Sequence, residues 1–314
     1  MTMKTPYRVP LVAGVATLLL LGGAWVPLSA QQRVRDTTVE MTRTSVVDVT
    51  LSSGNVIIRG ISGTTGSVRG LRSDQRVRST GVALTVAGRA DDDDDRSSRT
   101  RSRARNRDAL EIDVPRGVRV VVNTRSGDVE VQDFTGELEV YSQSGTQRLH
   151  EVRGRVIAES LSGDVTITGA PTSVRLTTVS GDIAIRGARG EVEVHTTSGD
   201  IRIDEALLSR LMVEAMSADV DFDGSFTEDA RVQLSTHSGD IVLRLPDTLH
   251  GRIDVSTVSG KLTAGFPMTL APGNFTSTGR GRSARRYQMG NGGPLQFDIT
   301  TFNGDVRILR GNRS

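Results

Sequence analysis

The chain has 314 residues and no cysteine, which excludes a disulfide scaffold, a thiolate zinc site and a cysteine nucleophile. Hydrophobic residues make up 36% and charged residues 24%, a balance typical of a folded protein rather than a disordered one. Two of the 39 basic residues, Lys4 and Arg8, precede residue 31, which leaves 37 to balance the 37 acidic residues. A neutral chain gives no electrostatic argument for nucleic acid as a partner.

Residues 1–30 have the three-part pattern of a secretory signal peptide. Lys4 and Arg8 precede an apolar run that begins at about Val9, and small residues then lead to Ala30. An apolar run of this length is also long enough for an uncleaved membrane anchor, in which case the chain would contact a membrane. Both interpretations predict an extracytoplasmic protein, in the periplasm, at the cell surface or secreted, with cleavage near Ala30 in the first.

The next two segments differ in composition. Residues 31–87 are predicted to form a strand-rich entry or capping region, with a degenerate repeat at Ser53-Gly54-Asn55. Within residues 88–109, five consecutive aspartates at 91–95 precede six arginines, with almost nothing apolar to bury. We predict a flexible, solvated loop whose opposite charges neutralise each other. The alternative is an interaction patch or a cation site at the aspartates.

Residues 110–265 contain a regular internal repeat of Ser-Gly-Asp or a close variant, at a constant interval from Gly127 to Gly199 and a slightly longer one thereafter. Between the copies, apolar and polar residues alternate, which predicts strands with one buried face. A short repeat cannot bury that face alone, so successive units are expected to stack about 4.8 Å apart. The predicted fold is all-β, a parallel β-solenoid with coils of about 18 residues, and right-handed coiling is expected from the crossover rule.

Two sets of residues follow from this pattern. The alternation predicts a core of inward-facing residues: Val129, Val131, Val165, Ile167, Ile183, Ile185, Ile201 and Ile203. Each corner needs a positive φ or a close backbone approach, which predicts structural corner glycines at Gly127, Gly145, Gly163, Gly181, Gly199, Gly239, Gly260 and Gly304. The unit after Gly145 departs from the pattern, because Gln147 stands where a valine is expected.

Residues 266–293 interrupt the repeat and are rich in Gly and Arg. They are predicted to leave the solenoid as a long loop or hairpin, before closing strands within residues 294–314. Long insertions on a rigid scaffold often carry binding sites, although this insertion indicates only a location.

Stacking of the coils also predicts a column of carboxylates along one edge, at Asp164, Asp182, Asp200 and Asp219, about 5 Å apart. Carboxylates in turns commonly accept hydrogen bonds from backbone N–H groups. A row of calcium ions is the alternative, and it requires six to eight oxygen ligands per ion. One carboxylate per coil supplies too few, so the column is only a weak metal candidate, and no cofactor is predicted.

Three stretches resemble a family of exported bacterial β-strand-repeat proteins known as putative adhesins. Residues 111–131 resemble the family's entry into regular coils, the tandem SGDVTI, SGDIAI and SGDIRI units its body, and residues 287–309 its closing segment. The resemblance covers about residues 40–312 and implies a β-solenoid domain of largely unknown function. It supplies no catalytic residues.

Two hypotheses for function follow. The first is a non-enzymatic scaffold that binds an envelope protein or a glycan along its flat faces. The second is a parallel β-helix enzyme acting on polysaccharide, which requires carboxylates that converge in one groove, usually beside aromatic platforms. Acidic residues spread in columns and an aromatic content of 4% favour the scaffold, so no catalytic residue is predicted. The oligomeric state is left open.

Overall fold

The computed structural model describes residues 37–42, 45–71, 75–80, 83–88, 109–270 and 283–311. All of them lie within one compact unit, Val34–Ser314. The predicted leader, residues 89–108 of the charged loop and residues 271–282 of the predicted insertion lie outside the described residues. Over the ranges that are described, no helix is long and apolar enough to cross a membrane.

The described residues form strands and no helix, which confirms the all-β prediction. In chain order the strands are β1 (Thr37–Glu40), β2 (Val46–Ser53), β3 (Val56–Ile61), β4 (Thr65–Arg69), β5 (Gln75–Ser79), β6 (Ala83–Gly88), β7 (Leu110–Pro115), β8 (Arg119–Ser126), β9 (Val129–Gln132), β10 (Thr135–Ser144), β11 (Gln147–Ser162), β12 (Val165–Ser180), β13 (Ile183–Arg186), β14 (Arg189–Ser198), β15 (Ile201–Ser217), β16 (Val220–Ser238), β17 (Ile241–Leu245), β18 (Gly251–Ser259), β19 (Leu262–Ala264), β20 (Met268–Leu270), β21 (Ser283–Met289), β22 (Leu295–Asn303) and β23 (Val306–Arg310).

Each central coil contributes to two parallel sheets. In β12, Val165 pairs with Ile183 of β13, whereas Val174 pairs with Val192 of β14. We call the outer surface of the first sheet the short face; it runs through β9, β13 and β17 and the first residues of β11, β12, β15 and β16. The long face is the outer surface of the second sheet, through β8, β10, β14 and β22 and the last residues of those same four strands. Parallel pairing of equivalent positions in successive repeats confirms the solenoid.

The core lies between these two sheets. All eight residues predicted to face inward are no more than 1% exposed, which confirms the predicted register. On the inner side of the long sheet, residues such as Val174 and Leu176 meet Val165 and Ile167 of the short sheet, and all four are buried. Each such side chain contributes roughly 1.5–3 kcal/mol by leaving water, so stacking identical positions builds a continuous core.

Gln147 interrupts this apolar core. It occupies the column of Val129 and Val165 and is fully buried. Its Nε2 donates a hydrogen bond to the carbonyl oxygen of Glu159 at 3.0 Å, whereas its Oε1 has no hydrogen-bond partner among the described residues. The departure seen in the sequence is therefore a buried polar side chain that is only half satisfied.

At the N-terminal end of the stack, the chain does not add coils in sequence order. The first coil, formed by β2 and β3, lies between β6 and β7 on one side and β8 and β9 on the other. Beyond it, β4 pairs antiparallel with β7 and with β1, and β5 pairs antiparallel with β6. Antiparallel strands thus cover this end of the core.

At the C-terminal end the chain also departs from sequence order, but here the inserted coil is the last one in the chain. The last strands in the chain do not end the stack, because β22 pairs with both β16 and β18, and β23 pairs with both β17 and β19. The earlier coil of β18 and β19 is therefore the outermost one. Within the predicted insertion, β20 and β21 pair with each other in antiparallel fashion, and β21 also pairs with β18.

Candidate binding surface

The predicted corner glycines stack on one another along one edge of the solenoid. At Gly181 φ is +124°, and an added Cβ would lie 2.4 Å from the carbonyl oxygen of Gly163. At Gly304 no positive φ is involved, but a Cβ would lie 2.0 Å from the carbonyl oxygen of Gly239. Close backbone stacking is therefore what excludes a side chain along this edge. Ala218 stands where the repeat would place a glycine. It lies below Gly239, and a Cβ added to Gly239 would lie 2.1 Å from the carbonyl oxygen of Ala218.

The aspartate column forms a ladder of hydrogen bonds between coils. The N–H of Asp182 donates to Oδ1 of Asp164, and the N–H of Asp200 donates to Oδ1 of Asp182, both at 3.0 Å. Asp219 accepts in the same way from the N–H of Asp240 at 2.8 Å. The sequence alone missed how far this ladder extends, because Asn55, Asp128, Asp240 and Asp305 also accept from the next coil.

This ladder gives the column a structural role without a metal. Each of these contacts uses a carboxylate oxygen to satisfy a corner N–H group that would otherwise bond only water. In the part of the chain that the structure describes, no group of three or more His, Asp or Glu side chains is arranged to hold a metal ion. The calcium alternative and the metal candidacy of the column stay predictions to be tested.

The long face carries a column of exposed apolar side chains next to the glycine corner. Register places Leu161, Val179, Thr197, Met216, His237 and Phe302 on successive strands of this column. Leu161, Val179, Met216 and Phe302 are 55%, 47%, 59% and 43% exposed. We call this set the apolar column. The signal was present in the sequence, since these residues share one repeat position, but outward positions were assumed to be polar.

A groove runs beside the apolar column along the solenoid axis. It consists of two depressions of about 620 and 440 Å³, which share Thr177 and Val179 in their linings. Together they extend from Leu51 on β2 to Phe302 on β22, across nine strands and therefore about 38 Å. Its lining also includes a row of buried hydroxyl residues, of which Thr178 and Thr196 donate to the carbonyl oxygens two residues further on.

His195 lies in this groove between two carboxylates. Its Nε2 is 3.0 Å from Glu193 and its Nδ1 is 3.2 Å from Glu214, while Arg175 donates to Glu193 from the neighbouring coil at 2.9 Å. The hydrogen bond with His195 is the main reason that the pKa of Glu193 lies below its ordinary value, and Arg175 acts in the same direction. Strand alternation in the sequence places His195 on the outward side, but it does not reveal these partners.

Aromatic side chains lie at two points of the groove. The ring of Phe302 stacks on that of His237, with centroids 4.8 Å apart and an interplanar angle of 11°. Tyr141 lines the other depression and donates a hydrogen bond to Glu139 at 3.1 Å. Burial is the main cause that raises the pKa of Tyr141 above its ordinary value. The groove thus combines aliphatic, aromatic, hydroxyl and ionisable side chains.

Comparison with solved structures finds proteins of very low sequence identity. A putative cell adhesion protein from Clostridium sporogenes is similar over 88% of this chain and 100% of its own, with 10% identity and a TM-score of 0.21. A putative adhesin from Bacteroides fragilis is similar over 89% of this chain and 98% of its own, with 12% identity and a TM-score of 0.42. At these TM-scores neither similarity bears on function.

No curated protein matches the sequence. A family model described as Toastrack DUF4097 matches residues 69–309, which is well over half of the chain. The matched segment spans both sheets of the solenoid, from the end of β4 to β23. The stacked coils and the family match agree, and the chain belongs to the Toastrack DUF4097 family.

Proposed function

We propose that this chain is an exported, non-enzymatic and adhesin-like scaffold whose long face binds a partner in the cell envelope or at the cell surface. The observation that carries the proposal is the apolar column beside a continuous groove. Contiguous exposed apolar surface usually marks an interaction site in a soluble protein. The signal-peptide pattern of residues 1–30 supports an extracytoplasmic location.

The solenoid holds this surface rigid. Backbone stacking at the glycine corner fixes the distance between coils, and the aspartate ladder adds hydrogen bonds between several neighbouring corners. The side chains of Leu161 and Val179 are thereby presented at the strand spacing of about 4.8 Å, with little backbone freedom left to lose on binding. Such a surface fits an extended protein segment or a glycan chain that lies along the solenoid axis.

Two carboxylates of the long face are engaged in ion pairs, which supports a binding role over catalysis. Glu139 accepts from Arg119 at 2.5 Å, and Glu193 accepts from Arg175 at 2.9 Å. A glycosidase needs one free carboxylic acid with a raised pKa and a second carboxylate facing it across the sugar. Glu193 has instead a lowered pKa. If the chain released reducing sugar ends from envelope polysaccharide, the enzyme alternative would replace this proposal.

Retention on envelope fragments tests the proposal. We expect the exported, purified chain to be retained by fragments of the producing cell's envelope, and the double variant Leu161→Glu with Met216→Glu to be retained at least tenfold less. The matched control is Thr166→Glu with Ala184→Glu, which adds the same charge to outward positions of the short face. Equal retention of both variants, with unchanged circular dichroism, would show that the long face is not the binding surface.

A further inference from the structure

One column of outward side chains on the long face is complementary to itself when reversed. On successive strands from β11 to β15, one column reads Ile157, Arg175, Glu193 and Met212. Read backwards, this order places an apolar residue opposite an apolar one and a base opposite an acid. The centre of the pattern lies between β12 and β14.

The apolar column repeats this symmetry about the same centre. Leu161 and Met216 are its most exposed members, and they lie on β11 and β15, at equal distances from the line between β12 and β14. Val179 and Thr197 lie between them, one on each side of that line. Reversal therefore brings Leu161 opposite Met216, and Val179 opposite the small Thr197.

We propose that the long face binds the long face of a second copy of this chain, with the two solenoid axes antiparallel. The two-fold axis would run parallel to the strands, between β12 and β14, so that β11 faces β15 and β12 faces β14 of the other copy. Such a pairing is isologous and closed, as in most homodimers. The inference rests on that part of the proposed function which makes the long face a binding surface, and it names a second copy as an occupant of that face.

The size and charges of the face agree with this pairing. Six strands, β10 to β16 of the long sheet, cover about 24 Å along the axis, and eight residues of strand cover about 26 Å. The resulting area of roughly 600 Å² of flat sheet is close to the ~800 Å² of accessible surface per partner in a standard interface. Beyond the central pair of Arg175 and Glu193, the register also brings Glu137 opposite Arg231 of the other copy.

Two like-charge pairs oppose association. The same two-fold places Glu159 opposite Glu214, and Arg155 opposite Arg210. Within each copy, Nδ1 of His195 lies 3.2 Å from the Glu214 carboxylate. We therefore expect a reversible dimer with a Kd on the order of micromolar, in which exchange with other copies is fast. Each pair occurs twice in a two-fold dimer, so Glu159→Lys replaces two Glu159–Glu214 repulsions with two attractions, and this variant should dimerise at least tenfold more tightly.

The absence of cysteine makes the geometry directly testable with a short bifunctional thiol reagent. The two-fold predicts that Leu161→Cys cross-links to Met216→Cys when the two single variants are mixed, and that each variant alone gives no covalent dimer. The matched control is a mixture of Arg148→Cys and Arg202→Cys, which lie on the short face of the same two coils. This mixture should not cross-link.

Sedimentation velocity of the unmodified chain completes the test. A reversible dimer that Glu159→Lys tightens and Leu161→Glu abolishes supports the inference. A chain that stays monomeric at every concentration, or single-cysteine variants that cross-link to themselves, overturns it. If the monomeric chain is nevertheless retained on envelope fragments through the long face, the proposed function stands without self-association. A long-face dimer that envelope fragments do not retain overturns the proposed function as an envelope binder.

Discussion

The central coils and the two ends of the stack differ in how chain order relates to position. From β8 to β17, each coil follows its neighbour in sequence, at a constant spacing that lengthens slightly after β15. At both ends, one coil is inserted between two others that follow each other in the chain. The first coil in the chain, β2 and β3, is the inserted one at the N-terminal end, and the last coil, β22 and β23, is the inserted one at the C-terminal end.

This difference shows that extending the stack of coils and closing its ends make different demands on the sequence. A repeating coil needs only the same corner and the same inward residues as its neighbour, so local sequence is enough to extend the stack. An end must also cover a core surface and an open sheet edge. Antiparallel strands provide that cover here, and a chain that turns back to form them must then re-enter the stack out of order.

The largest expected effect comes from removing the inserted C-terminal coil. In a chain that ends at residue 293, β18 and β19 lose their parallel partners, β22 and β23. We expect the backbone amides of residues 251–264 to lose hydrogen-exchange protection, while those of residues 165–203 keep theirs. A chain that ends at residue 250 is the control and should show the same protection in the central coils. Persistent protection of residues 251–264 would mean that this coil docks directly on β16 and β17.

Single glycine substitutions in the central coils and at the C-terminal end should also differ in their effect on stability, although each effect is smaller than that of removing a coil. Gly181→Ala forces a Cβ against the carbonyl oxygen of Gly163 at a positive φ, so we expect the free energy of unfolding to fall by about 3 kcal/mol. Gly265→Ala, at the C-terminal end, meets its nearest atom at 3.4 Å and should cost less than about 1 kcal/mol. Denaturant titrations measure both values. Equal losses would show that the corner is as adaptable as the end.

The regular coils could be predicted from sequence because contacts between neighbouring coils repeat in sequence. The position of Ile183 under Val165 follows from a single repeat interval. The insertion of β22 could not be predicted, because Gly304 carries the same local signal as any other corner and its neighbours, Gly239 and Gly260, belong to consecutive repeats in the sequence. The apolar column was missed for another reason: strand alternation permits an outward Leu161 or Met216, so the column emerges only when the same repeat position is compared across coils.

The aspartate ladder should contribute less than the corner glycines. Asp182→Ala leaves the N–H of Asp200 without its carboxylate acceptor, and we expect a loss of about 1–2 kcal/mol. Asp182→Asn keeps an acceptor oxygen and should be close to neutral. Millimolar calcium should raise Tm no more than magnesium does, because the ladder needs no ion. A calcium-specific rise in Tm that Asp182→Asn abolishes would establish a metal site instead.

The smallest effect is expected at Gln147, and it should have the opposite sign. Its buried Oε1 has no hydrogen-bond partner among the described residues, whereas its Nε2 bonds the carbonyl oxygen of Glu159. Gln147→Leu removes both polar atoms at nearly constant volume and places an apolar side chain between Val129 and Val165, so we expect a gain of about 0.5–1 kcal/mol. Gln147→Glu is the contrasting variant, since a buried carboxylate in this column should destabilise by several kcal/mol. A loss of stability in Gln147→Leu would show that the bond to Glu159 outweighs the unsatisfied oxygen and that this coil depends on its one polar core residue.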